Sequence, residues 1–119
     1  MKKLSVLFII MIGFFSSFAQ STGNAKLSDE EIKDLSSKLA MKLLMNDKQK
    51  TSVEDILKTY RSELTKINSG SKESTYKNKE ELISSLDSQI ISLLDSKQKM
   101  KFNVLEKEWW TSVNEAADN

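Results

Sequence analysis

A chain of 119 residues with no His, Cys or Pro and a net charge of +1 excludes several classes of protein at once. Thiol or imidazole catalysis and transition-metal sites built on N or S ligands have nothing to use. No disulfide can support the fold, and the near-neutral balance gives no global attraction to nucleic acid.

Met1-Lys2-Lys3 is a short positive region, and Leu4 to Phe18 is almost wholly apolar. Ser17-Phe18-Ala19 then puts small residues where a signal peptidase reads. The pattern predicts a signal peptide over 1–19, cleaved before Gln20. The apolar run is short of the ~20 residues that a spanning helix needs, and no basic cluster follows it. The expected location is periplasmic, or secreted. Loss of Lys2 and Lys3 turns the net charge from +1 to −1. Residues 20–26 read as a flexible arm, and 27–119 as a single all-helical domain.

Ser28-Asp29-Glu30-Glu31 opens the first helix as a capping box, with acidic residues where the helix dipole favours them. Leu27 is placed to staple against Ile32. Ile32, Leu35, Leu39 and Leu43 share one face, and the helix should run to about Leu44. The second helix starts at Asn46, with Val53, Ile56, Leu57, Tyr60, Leu64 and Ile67 as its stripe. Asn68-Ser69-Gly70-Ser71 ends it and forms a linker between two halves, 28–69 and 73–117. The third helix is expected to start around Glu73 to Thr75, with Ser71 and Ser74 as competing caps. Its apolar face is Leu82, Ile83, Leu86, Ile90, Leu93 and Leu94. Ser84, Ser85, Ser88 and Ser92 form a small-residue stripe, either a solvated face or a place of close helix approach. The fourth helix runs from Asp95 to about Ala117, with Phe102, Leu105, Trp109, Val113 and Ala116 in line. Surplus apolar positions remain: Met41, Leu44 and Met45 on the first helix, and Met100, Val104 and Trp110 on the fourth. Exposed clusters of that kind mark interfaces or binding surfaces.

One pattern occurs twice. Met45-Asn46-Asp47-Lys48-Gln49 and Leu94-Asp95-Ser96-Lys97-Gln98 each place a capping residue three positions before Gln. Asn46 and Asp95 can accept from free first-turn N–H groups, while Gln49 and Gln98 reach back to the cap N–H. The copies are 49 positions apart, and the apolar positions after them match, which predicts two similar halves. The remaining chemistry is sparse. The carboxylate pairs Glu30-Glu31 and Glu80-Glu81 sit in first turns, where the dipole accounts for them. No phosphate-binding Gly-rich loop and no Ca²⁺ loop is present. The expectation is a protein that is not an enzyme, with no cofactor and no metal.

An exported, all-helical chain with two helix starts of this kind resembles the Spy/CpxP family of periplasmic proteins, whose motif is Leu-Thr-x-x-Gln. Gln is kept in both copies, and Asn or Asp replaces Thr with its capping role preserved. The resemblance implies a thin, curved homodimer of long helices forming a cradle, and the expected fold is all-α, four helices as two antiparallel hairpins in an open cradle or a small bundle. It implies an ATP-independent chaperone or a modulator of envelope-stress signalling. Its partners would be unfolded or misfolded envelope proteins, or a membrane sensor protein. The zinc-binding branch, which uses His and Cys, is excluded here. A client-binding face needs adaptable apolar groups with charges around them. The candidates are Met41, Met45, Met100, Val104 and Trp110, with Lys42, Lys101 and Lys107 nearby. The plainer alternative is that the Met and Trp residues complete a core or a dimer seam. Competing functions are a helical adaptor for one specific envelope protein and a secreted toxin or immunity-like factor.

Overall fold

Four helices form where side chains satisfy the backbone donors at their starts. In the computed structural model, which describes residues 26–70 and 72–118, these are α1 (Asp29–Leu43), α2 (Asp47–Asn68), α3 (Lys79–Ser92) and α4 (Ser96–Asp118). The expected signal peptide, 1–19, and residues 20–25 of the arm lie outside the described residues. At α1 the Ser28 hydroxyl accepts from the Glu31 amide at 3.1 Å, and Glu31 accepts from the Ser28 amide at 2.9 Å. Leu27 and Ile32 are both buried, as a hydrophobic staple requires. Asn46 and Gln49 make the same reciprocal pair at α2, and Asp95 and Gln98 make it at α4.

The start of α3 differs from expectation. Asn78, not Ser71 or Ser74, caps it by accepting from the Glu81 amide at 2.9 Å. Ser74 is already engaged with Glu63 and with the backbone of Tyr76, and Tyr76 packs against the core. That anchored stretch postpones the helix by about one turn.

All four helices are antiparallel to their neighbours in the bundle. α1 packs against α2 and α4, and α2 packs against α3. The turns within each hairpin are short, Leu44 to Asn46 and Leu93 to Asp95. One apolar core joins both hairpins. It includes Leu39, Leu43, Val53, Leu57, Tyr60 and Leu64 from the first, and Leu82, Leu86, Ile90, Phe102 and Val113 from the second. These are the stripe positions that helical spacing predicts. The equivalent pairs Val53 and Phe102, Tyr60 and Trp109, and Leu64 and Val113 are buried in both copies of the repeat. Ser84, Ser88 and Ser92 of the serine stripe are exposed, while Ser85 is half-buried with its hydroxyl 3.3 Å from that of Tyr76.

The far end of the bundle is tied as well. The Lys26 amide donates to the Ala117 carbonyl at 3.0 Å. Arg61 donates to the Leu27 carbonyl and to Asp29, and its hydrogen bond and charge hold the Asp29 carboxyl below its ordinary value. Asp29 is largely exposed, so this ion pair adds little stability. In the interior, the Tyr60 hydroxyl donates to Asn114, and burial pushes the phenol above its ordinary value. Ser36 is fully buried, and its hydroxyl has no hydrogen-bond partner among the described residues.

Candidate functional site

The helix starts of the repeat meet each other at the turn end of the bundle. Local hydrogen bonding uses only part of each glutamine. Gln49 accepts from the Asn46 amide, and its Nε2 donates to the Leu93 carbonyl and to Gln98 Oε1, both at 2.8 Å. Gln98 accepts from the Asp95 amide, and its Nε2 donates to Gln49 Oε1 at 3.2 Å and to the Leu43 and Leu44 carbonyls at 3.3 Å. Each amide therefore caps its own helix and holds the turn of the other hairpin. Gln98 is only 7% exposed, and its amide oxygen and both N–H groups are engaged. A buried polar group of this kind costs stability unless fully satisfied, and here it is.

Leu44 makes this arrangement possible. Its backbone is left-handed, at φ 57° and ψ 47°, which turns the Leu43 and Leu44 carbonyls towards Gln98. A left-handed conformation costs a non-glycine residue roughly 1–2 kcal/mol, and glycine is the usual choice there. Yet the chain has leucine at this position, and its side chain is 75% exposed.

Leu44 is one of a group. Among the described residues the exposed large hydrophobic side chains are Met41 at 72%, Leu44 at 75%, Met100 at 72% and Val104 at 86%. Met41 lies in the last turn of α1, and Met100 and Val104 lie in the first turns of α4. The exposed apolar surface is thus concentrated in the half of the bundle that contains the hairpin turns. Met100 and Val104, four residues apart, share the outer face of α4. Lysines lie near some of these residues, and Lys99 shares a shallow depression with Met100. Lys101 and Lys97 line a shallow groove with Leu43, Leu44, Asp95 and Gln98, and Lys42 lines another with Leu35, Leu105, Glu108 and Trp109.

Three of the expected surface residues are placed differently. Trp110 is buried, at 6% exposure, because its side of α4 faces both α2 and α3. Its indole N–H donates to Asp87 Oδ1 at 2.8 Å, and its ring meets Tyr60 and Trp109 edge-on. Met45 is half-buried against the core beside the cap of α2. Lys107 is exposed, but on the side of α4 that faces α3, together with Glu106 and Thr111. The structure therefore groups Met41, Leu44, Met100, Val104, Lys42 and Lys101 at one end and separates Trp110 and Lys107 from them. Leu44 falls off the α1 stripe in sequence, but nothing local marks its left-handed backbone.

Among the described residues no three or more His, Cys, Asp or Glu side chains converge as a metal site, and no helix is long and apolar enough to cross a membrane. In comparisons with known protein families, curated proteins and solved structures, the chain matches none.

Proposed function

We propose that this protein is a non-enzymatic, ATP-independent chaperone or envelope-stress modulator, exported by its N-terminal segment, that holds apolar segments of unfolded proteins. The observation that carries this reading is the concentration of exposed Met41, Leu44, Met100 and Val104 at the turn end, with Lys97 and Lys101 beside Leu44 and Lys99 beside Met100. Apolar side chains supply short-range contact, and the lysines supply capture that salt screens. Unbranched, polarizable Met side chains adapt to varied partners. The glutamine pair has a structural role in this reading, because it fixes the two turns that present the surface. Met41, Met100 and Val104 are retained from the candidate set, Leu44 is added, and buried Trp110 is left out.

The test is light scattering from an unfolding client in the presence of purified Gln20–Asn119, without ATP. Suppression at near-stoichiometric ratios for two unrelated clients, weaker at high salt, is the expected result. Folded, helical protein that suppresses neither client overturns it.

A further inference from the structure

A second feature lies along the flank of the bundle where α3 faces α4. The close helix packings are α1 with α2, α2 with α3, and α1 with α4, so the fourth side of the ring is more open. A groove of about 570 Å³ runs there, within the range of small-ligand and side-chain pockets. Ile83, Ser84 and Asp87 of α3 form one wall, and Glu106, Trp110 and Asn114 of α4 form the other. A second depression, of about 340 Å³, shares Glu106 and extends past Asn103 to Met100 and Ile91. From Met100 to Asn114 the α4 wall is ~21 Å long, which matches about six residues of extended chain. Two carboxyl groups, Asp87 and Glu106, face each other from opposite walls near the middle, beside an indole and apolar side chains.

We propose that this groove takes a short extended segment of a client polypeptide, apolar at its ends and with a lysine or arginine at its centre that pairs with Asp87 and Glu106. This rests on the client-binding reading and names the kind of segment preferred. With no cation present, Glu106 keeps a proton until the pH approaches 7. The hydrogen bond to Asp87, burial and the Asp87 charge push Glu106 up to about 7. A ligand cation placed between them replaces that proton. The other charged groups on the groove are Lys79 and Glu80 of α3 and Lys107 of α4, with Lys99 in the adjoining depression. From α2, Tyr60 lies behind Trp110 and keeps its proton, and α1 contributes no wall residue. Binding of a cationic segment therefore strengthens as pH rises through 7, by about tenfold between pH 6 and pH 8, because it competes with one proton.

The experiment uses two blocked six-residue peptides that differ only at the centre, lysine in one and uncharged norleucine in the other. The readout is the ¹⁵N–¹H signal of the Trp110 indole, assigned with Trp110→Phe. The expected result is that the lysine peptide shifts this signal and binds at least fivefold more tightly than its partner at pH 8. Glu106→Gln, or Asp87→Asn if the first variant is unstable, should remove both the preference and the pH dependence. Equal binding of the two peptides, an unmoved indole signal, or an unchanged pH dependence in the variants overturns the inference. Suppression of client aggregation without peptide entry into the groove overturns this inference alone. Peptide entry without suppression overturns the chaperone reading alone.

Discussion

Gln98→Glu separates two roles that one side chain performs. Glutamate is an ordinary residue at the third position of a capping box, so the bond from the Asp95 amide at 3.0 Å survives the change. The helix dipole also favours a negative charge at that place. If capping were the whole role of Gln98, stability would change by less than about 0.5 kcal/mol. The structure assigns it more. The change removes the donor that serves the Leu43 and Leu44 carbonyls and Gln49 Oε1, and leaves oxygen facing oxygen. Of this network only the bonds from Gln49 Nε2, to the Leu93 carbonyl and to the side chain at position 98, remain across the hairpins. A net loss of one or two hydrogen bonds, with a charge at a position 7% exposed, gives about 2–4 kcal/mol of destabilisation. For a small domain that is a large fraction of the total. Urea unfolding at neutral pH measures it as a lowered midpoint at constant slope. Protonation of the introduced carboxyl restores an O–H donor, so the deficit should shrink below about pH 5. A midpoint within error of the wild type at neutral pH, or a deficit independent of pH, refutes the cross-hairpin account.

Leu44→Gly relieves the left-handed backbone and should raise stability by about 1 kcal/mol in the same assay, while client capture weakens because an exposed apolar group is gone. Ser36→Ala removes a buried hydroxyl without a partner among the described residues and should stabilise the fold by about 1 kcal/mol; a lower midpoint would show that the hydroxyl is satisfied. Glu106, pushed from 4.5 up to about 7, binds its proton more tightly in the folded state than in the unfolded chain. Its contribution is therefore complete below pH 4.5 and is lost as pH rises through 7. Wild type should weaken relative to Glu106→Gln across that window, and parallel profiles would contradict a proton held on Glu106.

The features legible in the sequence are those set by neighbours along the chain. Capping residues and their partners three positions on are local, so the starts of α1, α2 and α4 could be placed, and helical spacing located the core stripes. The start of α3 could not, because Ser71, Ser74 and Asn78 are all competent caps. The choice depends on Ser74 bonding to Glu63 across the linker. The repeat was visible, but the contact between its copies was not. It joins residues 49 positions apart, and each glutamine bonds to carbonyls of the opposite turn. Trp110, a quarter-turn off the stripe, reads as surplus when the buried face is drawn narrowly. A bundle helix that meets more than one neighbour buries a wider face, and Tyr60 and Asp87 fill the space around that indole. The exposed Met41, Leu44, Met100 and Val104 were all apparent as surplus apolar positions, whereas the left-handed backbone of Leu44 was not.

The most direct test of the central claim removes the apolar surface and leaves the fold in place. Met41→Ser, Met100→Ser and Val104→Thr combined change exposed side chains only, so circular dichroism and urea midpoint should stay close to wild type. Light scattering from two unrelated unfolding clients is then compared for the two proteins. The account predicts suppression by wild type at near-stoichiometric ratios and loss of most of it in the folded variant. Equal suppression by both proteins would contradict the assignment of client binding to the turn end of the bundle.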